Sequence, residues 1–428
     1  MRKWLLVGCG AFVTLSLIAC IGGTAWLFRT PKIEIPTRAY PPNNAYESYR
    51  LIAEQMRAQL DTDQRFKQIE QSFRDPQSLS AADRAYYLQR TKPFLTAYAP
   101  FTQLPSKAVF EYRPDWLMPE LAQFRRIARA EAFLIRESLQ RKRYADALER
   151  VERLNRFAEQ VRTDGTLIHY LVGTAIHAIA LDPLRETLPT LQDRAALERL
   201  VALAQRYETR RAPLWRAATQ ERIFILSVYD QLAKGKTDLN ALTGDSSSSR
   251  ISYGPLIRPL VNLALSEYHQ MMDSVIAELK KPMHQRDRKT LEQEPRQLLN
   301  AILYPVFMRT NEKEIAESAM MRLAGCTAAI RLYKQRTGKY PQSLEALGLG
   351  EMVIDPFTGE PFRYRVDPKR GFLLYSVGEN RTDDGGYIPY AGQSASRGDF
   401  SAVSVRLPNP PKGIKHSQMP LAPPVWLK

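Results

Sequence analysis

The sequence predicts a mainly α protein: an N-terminal membrane helix, an irregular body of helical hairpins and a small C-terminal α+β module. Three observations carry this. Trp4 to Phe28 is an uncharged run of 25 residues. Apolar residues then recur every three or four positions as far as Gly338, the period of amphipathic helices. Beyond Pro341, Gly, Pro and Asp cluster and short β-type runs appear. At ~150 residues per domain, 428 residues have room for two or three domains. Hydrophobic residues at 44% and charged residues at 25% exclude wholesale disorder.

Arg2 and Lys3 precede the apolar run and Arg29 and Lys32 follow it. A run of this length spans a bilayer with some tilt, and Trp4 and Trp26 sit where aromatic rings favour the headgroup region. A second reading stays open. Leu17-Ile18-Ala19-Cys20 resembles a lipobox, which implies a lipidated Cys20 and removal of the preceding residues. Residues 1–28 are therefore a membrane anchor or a lipoprotein signal. The default placement is the inner membrane, single-pass, with the bulk of the chain extracytoplasmic. Three Cys are too few for a disulfide scaffold of this size.

Residues 29–43, with Pro31, Pro36, Pro41 and Pro42, read as an extended linker. The helical domain occupies 44–310. Asn44 with Glu47 is placed as a capping box. Stripes follow at Leu121–Leu139, Tyr144–Val161, Leu167–Ile179, Leu197–Tyr207 and Ile223–Leu232. The first two form a helix pair, and the third, broader stripe marks a central helix. Pro183 and Pro189 punctuate. No second copy of a 34-residue unit is found, which favours an irregular helical domain over a solenoid. Thr243–Ser249 is a polar insertion, and helices resume at about 256–280 and 290–307. Asn311 with Glu314 starts a helix whose buried stripe includes Ile315, Ala319, Leu323, Cys326 and Ile330. It stops at Gly338 with Pro341 beyond.

The α+β module occupies 311–406. Phe362–Val366 and Phe372–Val377 are strands joined by Asp367–Gly371 as a hairpin turn, with Val403-Ser404-Val405 as a third strand. Residues 407–428 hold six prolines and read as a tail.

The order of motifs over residues 316–387 resembles the C-terminal domain of the major pseudopilin of type II secretion. A helix ends in Leu332-Tyr333-Lys334…Gly338-Lys339-Tyr340-Pro341, followed by Leu344-Glu345-Ala346-Leu347. Next come Asp355-Pro356-Phe357…Pro361-Phe362-Arg363-Tyr364, then Leu374-Tyr375-Ser376-Val377-Gly378 before an Asp/Gly-rich loop. The resemblance implies a helix packed on a small antiparallel sheet. It also implies a calcium loop, for which Glu379, Asn380, Asp383, Asp384 and Asp399 are the candidates; carboxylates on a Gly-rich turn suit a hard cation. Two departures stand beside it. Gly10–Leu15 lacks the Glu of a pseudopilin processing site, and about 290 residues separate the apolar run from the module. The whole chain is similar to membrane-anchored bacterial proteins of planctomycete type, a similarity that implies no activity.

No His-Glu-x-x-His, Gly-x-Ser-x-Gly or phosphate-loop motif is present. His169 and His177 lie about 12 Å apart along one helix, too far to share a metal, and Cys326 reads as a structural thiol. The excess of Lys and Arg, 61 against 45 acids, is dispersed over helix faces. No nucleic-acid partner is expected; membrane lipid, envelope proteins or acidic polymers suit the charge better. The sequence thus points to a membrane-anchored envelope protein of binding or scaffold type. The alternatives are an accessory component of a secretion or pilus-like machine and an extracytoplasmic hydrolase with its site between helical body and sheet.

Overall fold

The computed structural model describes residues 26–71, 79–113, 115–237, 254–389, 398–404 and 420–428. Most of the apolar run with Cys20, the insertion at 243–249 and Val405 lie outside them; Trp26–Phe28 is helical.

The fold is mainly helical, with one small sheet. The helices are α1 (Ala45–Leu60), α2 (Gln64–Gln71), α3 (Ala81–Tyr98), α4 (Glu120–Gln140), α5 (Tyr144–Arg162) and α6 (Leu167–Thr187). They continue with α7 (Arg194–Arg210), α8 (Leu214–Ala233), α9 (Gly254–Leu279), α10 (Leu298–Leu303) and α11 (Phe307–Thr337). The predicted stripes face the core: Phe124, Ile127, Ala128 and Ile135 on α4, and Leu148, Val151, Leu154 and Val161 on α5, are buried. α4 and α5 pack on each other, and both pack on α6, which also touches α8 and α11. α6 is the central helix. It is long and apolar enough to cross a membrane by length and composition, and most of it is buried inside the protein. Gly173 lets α5 and α6 approach closely, since an added Cβ would lie 2.7 Å from the Ala158 carbonyl oxygen and 2.8 Å from Arg162 Nε.

Several elements depart from expectation for identifiable reasons. Asn44 does not cap α1. Its carboxamide clamps the backbone of Lys107, donating to the carbonyl (2.9 Å) and accepting from the N–H (2.8 Å), so a long-range demand outweighs the local one. Pro183 lies inside α6. The stretch expected as one helix at 290–307 is broken into short pieces before α11 begins at Phe307, so Asn311 and Glu314 lie within that helix, both buried.

The linker and the end of the tail are held against the body. Ile33 and Ile35 pack on a core of α8, α9 and Phe307. Arg38 donates to the carbonyls of Ala108 (2.8 Å) and Asp164 (2.9 Å) and to Gln220 (2.7 Å), with its guanidinium 3.9 Å from the Phe110 ring centroid. A guanidinium that finds this many acceptors anchors the segment. At the other end, residues 420–428 dock: Leu427 pairs with Phe372 and Ala422 with Ile388. Spacing between the prolines leaves free backbone groups where pairing needs them.

The sheet is a hairpin of β1 (Arg363–Asp367) and β2 (Gly371–Tyr375), antiparallel with Tyr364 opposite Leu374 and Val366 opposite Phe372. β2 is buried throughout, against α11 on one side. Of the expected third strand at 403–405, the described Val403 and Ser404 are not in a strand; Phe400 instead forms a bridge with Ser376. Asp355 explains the Asp-Pro-aromatic motif. Buried, it accepts from the N–H groups of Phe357 (3.0 Å) and Val377 (3.1 Å), stapling that loop to the end of β2. The boundary expected near 311 is not a break in the core. α11 packs its first half on α6 and α7 and carries the sheet on its second, and one hydrophobic cluster includes residues from Ala45 to Leu427.

Candidate functional site

α11 is unusual in its acids. Glu312, Glu314 and Glu317 are all buried, and ionised carboxylates in that position need partners. Glu314 accepts from Arg211 (2.9 Å) and Arg286 (2.5 Å). Glu317 meets Arg162 at 2.8 Å, His177 Nδ1 at 3.0 Å and the Thr174 hydroxyl at 3.1 Å. Burial alone would raise Glu317; Arg162 and His177 more than offset it and hold the carboxyl well below its ordinary range. His177 stacks on Tyr207 with ring centroids 4.5 Å apart, and both its ring nitrogens are buried without a hydrogen-bond partner among the described residues, Nδ1 only approaching Glu317.

This cluster forms one wall of a cavity of about 440 Å³ between α6, α11 and the segment at Phe400. Leu171, Ala175, Leu181, Ala316, Met320 and Phe400 supply apolar surface. Arg185 and Lys313 supply positive charge. Arg185 donates to the Val403 carbonyl (3.3 Å), its Nε is buried and unpartnered among the described residues, and burial lowers its pKa. Neither cation has a carboxylate in ion-pair distance among the described residues. Glu379 lines the same cavity; burial raises its pKa, with Arg288 acting the other way. The volume lies within the ordinary range for small-molecule sites, and the location between helical body and C-terminal module is a common one. A second cavity, about 200 Å³, lies beside Asn155 and Arg206.

The loop expected to hold calcium is divided. Glu379 faces the cavity. Asp383 accepts from the Tyr375 hydroxyl (2.8 Å) and the Gly385 N–H (2.9 Å), and Asp384 accepts from Asn380 (2.9 Å). Asp399, fully buried, accepts from the N–H groups of Gly386 (2.6 Å) and Asp384 (3.2 Å). Burial pushes its pKa up to about 6, with Asp383 and Asp384 adding to the rise. Among the described residues no group of three or more His, Cys, Asp or Glu is placed to hold a metal ion.

The remaining candidates are packing residues. His169 caps α6 together with Thr166, and burial with the nearby Arg38 lowers its pKa to about 3. Cys326 is buried and donates to the Met352 carbonyl (3.3 Å), with burial pushing the thiol up to about 12. The sequence reading missed Glu317, Arg162, Arg185 and Lys313. The signal for the first was present: three acids flank the apolar stripe of α11 within six positions.

No family model, curated protein or solved structure matches this chain.

Proposed function

We propose that this chain is a membrane-anchored binding protein of the cell envelope, which takes a small monoanionic, partly apolar ligand in the cavity between α6, α11 and Phe400. Arg185 and the more exposed Lys313, which line a largely apolar cavity with no carboxylate in ion-pair distance among the described residues, carry the reading. A desolvated guanidinium without a carboxylate is costly, and a bound anion supplies the missing charge. Glu317 is neutralised by Arg162, so the lining groups total two cations against Glu379, an excess of one. That favours a carboxylate over a phosphate dianion.

The test is calorimetric titration of the full chain in lipid nanodiscs with octanoate, octanol and octyltrimethylammonium, with empty nanodiscs as blank. Octanoate is expected to bind tightest. Lys313→Gln and Arg185→Gln each weaken it about tenfold, the loss of one charge-assisted bond, and leave octanol unchanged. Equal binding of the three probes, unaltered by either substitution, removes the reading. Fractionation with protease protection tests the envelope placement. Mass analysis separates an intact N-terminus from a diacylated Cys20.

A hydrolytic reading has one observation in its favour. Glu317 lies 3.0 Å from His177 Nδ1, and neither ring nitrogen has a hydrogen-bond partner among the described residues, so the imidazole is free to take a proton as a general base does. Hydrolysis of a chromogenic short-chain ester that His177→Gln abolishes would establish it; equal rates in both proteins would end it. A role as accessory to a pilus-like machine rests on the pseudopilin resemblance. Co-purification with pilin-like subunits tests it.

A further inference from the structure

Among the described residues fourteen large apolar side chains are exposed, and eight of them fall on three short stretches: Trp26 and Phe28; Leu256, Leu260 and Leu263; Leu298, Ile302 and Val306. Leu256, Leu260 and Leu263 recur at four and three positions on α9, so they share one face of that helix. The opposite face, with Ile257, Val261, Ala264 and Tyr268, is buried. The exposure is substantial: 72% at Leu256, 61% at Leu298 and 64% at Val306.

Hydrogen bonds bring the three stretches together. Asn262, buried on α9, donates to the carbonyls of Leu27 (2.7 Å) and Arg29 (2.9 Å). Asn300 on α10 donates to the Ala264 carbonyl of α9 (3.0 Å). The point where the chain leaves its N-terminal apolar run is therefore pinned to α9, and α10 is fastened alongside. Apolar patches of this extent on a protein surface mark an interaction site.

We infer that this face, the first half of α9 with α10 and the entry at Trp26–Phe28, rests on the lipid bilayer that holds the N-terminus. The inference rests on the membrane attachment proposed above. The occupant follows from continuity, because the patch begins where the uncharged run of Trp4–Phe28 ends. Either N-terminal reading, spanning helix or lipidated Cys20, places Trp26 within a few residues of the bilayer. A helix with one apolar face exposed lies in the interface with that face in the acyl boundary. Trp26 stands at the headgroup level that aromatic rings favour. Arg29, its guanidinium 5.1 Å from the Trp26 ring, and exposed Arg309 flank the patch and can reach lipid phosphates. The protein then sits on the surface as a body held at two places rather than swinging on a linker.

The test is photolabelling of the full chain in phosphatidylethanolamine–phosphatidylglycerol vesicles that contain a diazirine-tailed phosphatidylcholine, with adducts mapped by peptide mass. Labelling is expected on the N-terminal run and also on the peptides covering 256–263 and 298–306. The peptides with Leu51 and Leu117, equally apolar and exposed elsewhere, stay at background. Leu260→Glu with Ile302→Glu, both at exposed positions, abolishes labelling of the two helices and leaves that of the N-terminus intact. Labelling of the N-terminus alone in the unsubstituted chain overturns the inference and leaves the anchoring in place. No labelling at either overturns both.

Discussion

Glu317→Gln tests the buried cluster most directly. The carboxylate accepts two bonds from Arg162, at 2.8 and 3.3 Å, one from Thr174 and a contact from His177. The Arg162 side chain is wholly buried. A carboxamide keeps one acceptor and turns its NH₂ toward the guanidinium, so Arg162 is left with Glu159 at 3.6 Å as its remaining acid. Breaking such a pair from one side costs about 3–5 kcal/mol. At roughly 2.1 cal/mol/K per residue, 428 residues have an unfolding entropy of about 0.9 kcal/mol/K, so 4 kcal/mol lowers Tm by about 4–5 °C. Replacing both partners, Arg162→Met with Glu317→Met, removes the uncompensated charge. Glu159, raised by burial, loses both the Arg162 charge that lowers its pKa and the Glu317 charge that raises it. The double variant is expected to be markedly more stable than the sum of the single losses, with a coupling of at least about 2 kcal/mol. Calorimetric melting of five proteins, the unsubstituted chain, Glu317→Gln, Arg162→Met, Glu317→Met and the Met double, reads this out, with the coupling taken from the Met cycle. A Glu317→Gln loss under about 1 kcal/mol, or strict additivity, refutes the account of a charge pair deep in the core.

Asp399 makes stability depend on pH. Its folded pKa of about 6 exceeds the ordinary 3.8, so the folded chain holds this proton more tightly. The contribution is fully present below about pH 4 and is lost as pH rises through 6, by about 3 kcal/mol at most; Asp399→Asn flattens that step in melts at graded pH. The calcium expectation for the same loop is checked by melting with calcium and with chelator; a site there raises Tm in calcium, and Asp383→Asn cancels the rise. Asn44→Ala leaves two Lys107 backbone groups unpaired and costs about 1–3 kcal/mol in urea unfolding. Asn44→Ser keeps a good capping residue yet does not restore stability, because the clamp rather than the cap is lost. Gly371 has φ +102°, and an added Cβ would overlap the Leu427 carbonyl oxygen. Gly371→Ala is expected to undock residues 420–428, seen as faster hydrogen exchange at Phe372 and Leu427 with the helical body unchanged.

Local periodicity made the helices legible. α4 to α8 stand where the apolar stripes put them, and the hairpin lies where β-type runs flank Asp367–Gly371. What periodicity cannot show is which polar residues face inward by pairing. Asn44 looked like a cap because its local pattern fits one, yet its partner is Lys107, 63 positions away. Glu317 drew no notice in the sequence, because its arginine is 155 positions back. Arg185 and Lys313 enter one cavity through the packing of α6 on α11, a contact with no local signature. The loop acids were found, but the backbone donors of Gly385 and Gly386 that occupy Asp383 and Asp399 depend on turn geometry. Residues 420–428 looked like a tail by proline content, which reports stiffness and not whether a stiff segment has a groove to lie in.

The placement of α11 has a consequence for how the chain is made. Arg162, Arg211 and Arg286 leave the ribosome before the glutamates that neutralise them, and Glu317 follows Arg162 by 155 residues. At about 5–20 residues per second the delay is roughly 8–30 s. During that interval Arg162 has only the weaker partner Glu159, and Arg211 and Arg286 lack Glu314, so the centre of the nascent helical body stays hydrated and loosely packed. The last third of the chain therefore acts as the keystone, and the order of synthesis delays final closure of the core until α11 has emerged.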